Sequence, residues 1–184
     1  MKGEKNHDDV LAFWFSEKMS GHWFNSTAEI DRQIISLFEP LWMQARDGRL
    51  DSWSQSARGS LALIIILDQF PLNMYRGEAK SFSTEADAIR VARKAIQSGF
   101  DKELNPQQCV FMYLPFMHSE SMQDQDYSVA LFTALGLDDN IRYATQHRQI
   151  VEQFGRFPHR NSLLGRDSSQ FEIDYLNSAG AFKG

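Results

Sequence analysis

The apolar residues Ile30, Ile34, Leu37, Phe38, Leu41 and Trp42 fall at the i, i+3, i+4, i+7 spacing that puts them on one buried helix face. Ser26 or Thr27 just ahead of them is a fitting N-cap, and Pro40 is expected to kink the helix. The same period returns from end to end of the chain. Asn-Gly or Asp-Gly hairpin turns between alternating strands are missing apart from Asp47-Gly48, which itself follows a helical pattern. The pattern therefore predicts an all-α protein.

A short first helix opens after Asp8 or Asp9 and turns Val10, Phe13 and Trp14 inward. A third, after the one carrying Ile30, spans about Ser56 to Gln69. Its Ile64-Ile65-Ile66 run alone suits a strand, but its length and the stop at Pro71 favour a buried helix. In the fourth, Ser83 or Thr84 is the cap, Glu85 and Asp87 sit in the first turn, Arg93 and Lys94 lie near the end, and Gly99 follows. Asn105-Pro106 opens a fifth that Pro115 should bend or end. A sixth covers about Asp124 to Leu135 before Gly136, and a seventh runs from about Asp138 to Phe154 before Gly155. Ser169-Gln170-Phe171-Glu172 is a capping-box pattern that opens the eighth. The links are short and no Pro/Gly/Ser-rich linker interrupts them. The expected architecture is a single all-helical domain over 1–184, a compact antiparallel array of about eight helices.

Composition narrows the function classes. At 42% hydrophobic over 184 residues, the chain is large enough for a well-filled core, and aromatic and Met residues such as Trp14, Trp23, Phe24, Trp42, Trp53, Met112, Phe116 and Met117 are expected inside it. Lys and Arg number 19 against 24 Asp and Glu, and a net charge of -5 argues against binding a phosphate backbone. Cys109 is the only cysteine, so an intrachain disulfide is excluded and a reducing compartment is expected. The opening MKGEKNHDDV is charged with no apolar stretch after it, which does not read as a secretion signal, and a cytoplasmic location is expected. The longest apolar run, Leu61 to Leu67, is far short of the about 20 residues that span a membrane.

Polar groups gather at three helix ends, each beside a proline: residues 67–77, residues 113–125, and His147 to Arg166. The last places two His, four Arg and an Asn around a Phe-Pro turn, a density that is costly to bury without partners. His118 and Glu120, with His147 and His159, suggest a metal site only at first sight. The spacing matches no HExxH or Cys/His framework, and residues at i and i+2 of a helix face apart, so neither metal nor cofactor is expected. Acid-base work would use His118 or His159 as proton carrier, Asp68, Glu120 or Asp124 as its partner, and Arg156 or Arg160 to clamp an anion. The structural counterpart pairs Asp68, Glu120 and Asp124 with Arg76, Arg156 and Arg160, while Asn73 and Asn161 cap loops. There is no GxSxG, no Ser-His-Asp signature and no phosphate-cradling glycine loop.

Over nearly its full length the chain resembles a family of uncharacterised bacterial proteins, domain of unknown function 924. The resemblance runs from Val10-Leu11-Ala12-Phe13-Trp14-Phe15 through Leu61-Ala62-Leu63-Ile64, Asp68-Gln69-Phe70-Pro71 and Pro115-Phe116-Met117-His118-Ser119-Glu120. It continues with Phe154-Gly155-Arg156-Phe157-Pro158-His159-Arg160-Asn161 and Leu164-Gly165-Arg166. It implies an all-helical fold similar to tetratricopeptide repeats, and it carries no activity with it. Leu72 stands where the family pattern usually has Arg. The expected site is one for a small anionic molecule, binding or catalytic, formed by Asp68, Gln69, Arg76, His118, Glu120, Asp124, His147, Arg156, His159, Arg160 and Asn161. The competing expectation is a helical scaffold for a protein or peptide, with these same motifs as internal braces.

Overall fold

Capping side chains decide where the helices start. In the computed structural model, which describes residues 5–184, α1 (His7–Trp14) begins at Asn6, whose side-chain oxygen accepts the N–H groups of Asp8 and Asp9 at 2.8 and 3.1 Å. Asp9 returns the bond to the Asn6 N–H at 2.9 Å, so two otherwise orphaned sets of donors are satisfied together. The first four residues of the charged opening stretch lie outside the described residues. A one-turn α2 (Glu17–Ser20), too short to show as a period in the sequence, precedes α3 (Ala28–Arg46), which starts at the Thr27 cap and runs on through Pro40. After α3 come α4 (Ala57–Ile64), α5 (Phe70–Met74), α6 (Glu85–Gln97), α7 (Pro106–His118), α8 (Met122–Leu135), α9 (Asp138–Phe154) and α10 (Gln170–Leu176). No strand forms and no helix is long and apolar enough to cross a membrane, among the described residues.

The chain divides into two compact units, one from the residues up to Arg76 with Lys80–Pro115, the other from Gly77–Ala79 with Phe116–Gly184. In the first unit Pro71 does not stop the helix as the sequence pattern predicts. A proline has no N–H for the carbonyl four residues back, and its ring crowds that carbonyl, here that of Leu67. The chain responds by widening: Ile65–Gln69 is a π-helical turn, and the Phe70 N–H bonds to the Ile65 oxygen five residues back. The displaced Leu67 carbonyl accepts the Thr84 hydroxyl at 2.5 Å, and Thr84 Oγ1 accepts the buried indole N–H of Trp42 at 3.3 Å. Thr84 thus occupies the N-cap position of α6 without capping it, because its hydroxyl is used across the core.

The run Leu61 to Leu67 is buried throughout, and Trp14, Phe38, Trp42 and Phe70 are almost wholly enclosed as well. Phe13, Trp14, Phe38 and Phe70 meet edge-on or tilted at 4.8 to 6.3 Å. Phe24 departs from the expected core. It lies in the link between α2 and α3, 74% exposed, with its ring parallel to that of Phe111. Cys109 is buried and its thiol faces the Asp101 carbonyl at 3.2 Å.

The second unit is built on α8 and α9, which the two residues Gly136 and Leu137 join, so the helices pack antiparallel. Gly136 adopts a left-handed conformation at φ 73°, the turn that a side chain would disfavour. The start of α8 is tied back to the end of α7 by Gln125, fully buried, whose amide N donates to the carbonyls of Met117 and Ser119 at 2.8 and 2.7 Å. Ile150, Val151 and Phe157 form the apolar centre, and Met122, Phe154, Tyr175 and Phe182 pack against it.

Candidate functional site

Gly155 ends α9 at φ 70°, and the chain turns so that Phe157 enters the second unit's core. Phe157 is then held from both its backbone ends. Its N–H donates to Glu120 Oε1 at 2.8 Å, and its carbonyl accepts Arg166 Nη2 at 3.2 Å. Arg166 also grips Glu120 with both terminal nitrogens, at 2.7 and 2.9 Å, and donates through Nε to Asn161 Oδ1 at 3.0 Å. Burial pushes the Glu120 carboxyl up, but the bonds from Arg166 and Phe157 outweigh it and hold the group below the usual carboxylate range.

A second carboxylate is clamped nearby. Glu172, 3% exposed, accepts Arg156 Nε and Nη2 at 2.7 and 2.9 Å, the Ser169 N–H at 2.8 Å and Asn161 Nδ2 at 3.2 Å. With the Ser169 hydroxyl on the Glu172 N–H, this is the capping box of α10. The Arg156 bonds hold the Glu172 carboxyl far below its ordinary value against the cost of burial. An open pocket of about 390 Å³ lies beside this pair, lined by Gln153, Phe154, Arg156, Ser169, Phe171 and Glu172.

The Phe157 ring collects the remaining polar groups. The Arg160 guanidinium lies 4.6 Å from its centroid and donates to the His118 carbonyl at 3.0 Å. The imidazoles of His147 and His159 stand 5.6 and 5.7 Å away, and Phe182 touches both of them, at 4.5 and 5.1 Å. His147 Nδ1 faces the Tyr143 carbonyl one turn back at 2.8 Å, which assigns the proton to Nδ1 and leaves the lone pair on Nε2. Burial, aided by the charges of His118 and Arg160, pushes His147 down to about 4. Burial, then Arg160 and His147, push His159 down to about 4 as well, with Glu120 opposing. Both rings are neutral at pH 7.

Residues 10–180 match the family model described as bacterial protein of unknown function, DUF924. The chain belongs to the DUF924 family. A solved structure of a protein of unknown function from Agrobacterium tumefaciens is similar to it, at 38% identity and a TM-score of 0.87, covering 93% of this chain and 96% of that one. None of the curated proteins matches it.

Of the residues that the sequence singles out in this DUF924 chain, His118, Glu120, Asp124, His147, Arg156, His159, Arg160 and Asn161 all belong to the second unit, whereas Asp68, Gln69 and Arg76 belong to the first. Asp68 and Gln69 are buried in the π turn, where the Gln69 amide donates to Asp68 Oδ2 at 2.5 Å. Arg76 pairs with Asp31 at 3.0 Å, and Asn73 and Ser26 donate to the same carboxylate at 2.9 and 2.8 Å. Burial raises the Asp31 carboxyl, and Arg76, Asn73 and Ser26 together bring it below its ordinary value. Asp124 accepts the Ser119 hydroxyl at 2.8 Å. Arg76 is thus joined to Asp31, Glu120 to Arg166 and Arg156 to Glu172, partners outside the expected set. Asp31, Arg166, Glu172 and Phe182 are the participants that sequence reasoning missed. Glu172 had left a signal as the last residue of a capping box, and Arg166 as the end of the polar stretch that begins at His147. Among the described residues no group of three or more His, Cys, Asp and Glu is disposed to hold a metal ion.

Proposed function

We propose that this protein binds a small anionic molecule in its second unit, at the cluster of His147, His159 and Arg160 around Phe157. One observation carries the reading: a single buried aromatic ring is flanked by two neutral imidazoles and a guanidinium. The Arg160 guanidinium and the N–H of a neutral His159 are hydrogen-bond donors for carboxylate or phosphate oxygens, and His147, whose Nδ1 proton is used on Tyr143, joins them once its Nε2 takes up a proton. The positive neighbours that help hold both imidazoles neutral also create a potential that draws an anion in. The two carboxylates beside them repel such a ligand little, since Glu120 and Glu172 are each gripped by an arginine fork. The lone buried Cys109 suits a reducing compartment, which favours a ligand from among the small anions of the cytoplasm.

Titration with inorganic phosphate, followed through the imidazole proton resonances, tests this. Saturable shifts of His147 and His159, a rise in the pKa of both, and loss of the response in Arg160→Gln are expected. An anion that raises these pKa values takes up protons on binding, so affinity should grow as the pH falls from 7 toward 5. If phosphate and small dicarboxylates leave both resonances unmoved up to about 10 mM, where an affinity worth only about 3 kcal/mol already registers, the reading falls.

A further inference from the structure

The segment that follows α10, residues 178–184, has no helix or strand of its own, and it lies across the histidine pair. Its main-chain anchor is the Phe182 N–H, which donates to the Tyr175 hydroxyl at 3.0 Å. The Phe182 ring sits 4.5 Å from His147 and 5.1 Å from His159, so a single side chain of this segment touches both imidazoles. Gly184 comes so close to His159 that a Cβ added there would stand 3.1 Å from its Cδ2 and 3.3 Å from its Nε2. The fit is close, yet it is chemically mismatched. His159 Nδ1 is buried with no hydrogen-bond partner, and a phenyl ring covering an imidazole supplies none. A cover selected only for stability would offer a donor or acceptor there.

We infer that residues 178–184 form a strap over the His147–His159 pair, with Phe182 as its latch, and that the strap swings aside when a small anion enters. This rests on reading the cluster as an anion site. Opening exchanges one main-chain hydrogen bond and ring contacts for access to the Cδ2–Nε2 edge of His159, which Gly184 closes off. A ligand oxygen bonded to His159 would compensate for the lost contacts, so the ligand itself favours the open arrangement.

The test uses the full chain and its Phe182→Ala variant. Two quantities are read: the rate at which diethyl pyrocarbonate modifies His147 and His159, located by mass spectrometry, and the apparent affinity for inorganic phosphate. With the latch removed, His159 should be modified roughly tenfold faster, and phosphate should bind more tightly because the closed population no longer competes. Equal modification rates in the two proteins overturn the strap. So does a phosphate affinity that the variant leaves unchanged. Faster modification with phosphate binding to neither protein upholds the cover and overturns the anion site, so the two failures are told apart. Should Phe182→Ala lose its fold, Tyr175→Phe removes only the anchoring hydroxyl and is expected to speed modification by roughly fivefold, the equilibrium factor of one hydrogen bond. No acceleration in that variant overturns the proposal equally.

Discussion

Glu120 and Arg166 meet fork to fork at 2.7 and 2.9 Å, and the same carboxylate receives the Phe157 amide at 2.8 Å. One side chain thereby fixes both a guanidinium and the backbone of the ring around which the histidines gather. Glu120→Gln keeps the shape but discards the charge and places an NH₂ where an acceptor is needed. It should lower stability by about 2 kcal/mol, less than a fully buried pair would cost because both partners are partly exposed. A shift of less than a few tenths of a molar in the urea midpoint would show that the pair is incidental.

Arg156 and His159 lie in one turn of sequence, and the structure gives them different duties. Arg156→Ala strands the buried Glu172 carboxylate and should lower the urea midpoint clearly more than loss of the His159 ring does. His159→Ala removes a ring whose Nδ1 makes no bond, and should cost about 1 kcal/mol. Urea melts of the two variants check the contrast. Equal losses would show that the turn from Gly155 to Arg160 acts as one undivided brace.

Stability should fall as the pH drops below 6.5. His147 has a folded pKa near 4, below its value of 6.5 when unfolded, so between those values the unfolded chain binds more protons and gains on the native state. For this nearly buried ring the loss is on the order of 3 kcal/mol by pH 4. Below the usual carboxylate range Glu172 adds to it, since its folded pKa is depressed and protonation breaks its bonds. Thermal melts across pH 4 to 7 report the slope, and His147→Gln should roughly halve it between 6.5 and 4, His159 with its similarly lowered pKa supplying the rest. An unchanged slope in that variant would assign the acid lability elsewhere.

Thr84 offers a check on the first unit. Thr84→Val keeps the volume but leaves the Leu67 carbonyl and the Trp42 indole N–H without their shared partner, and should cost about 2 kcal/mol. Thr84→Ser restores the hydroxyl and should recover most of that loss. Melting temperatures of the two variants decide it, and similar losses in both would mean that the methyl group matters more than the bonds.

The helices were legible because their signals are local. Asp138 to Phe154 stands where its period and Gly155 put it, and the Ser169 cap and Glu172 box open α10 as the pattern predicts. Pro71 misled because a proline forbids one bond and does not forbid a helix, and what happens next depends on Thr84, thirteen residues away, offering a donor. The gathering of polar groups between α9 and α10 was legible, and their pairing was not. Arg and Glu reach far and choose partners by tertiary geometry, so Asp31 took Arg76 and Glu172 took Arg156, neither of which any spacing announces. Phe182 left no mark in the sequence, being one apolar residue in an irregular stretch.

The widened turn at Ile65–Gln69 takes in an extra residue, and each residue of a helix advances its azimuth by about 100°. The side chains after the turn are consequently out of phase with those before it. α4 meets α1 and α6, while α5, beyond the turn, meets α3. A single proline thus lets one rod serve neighbours on different bearings, and Pro71→Ala would matter chiefly by tempting the helix back into phase.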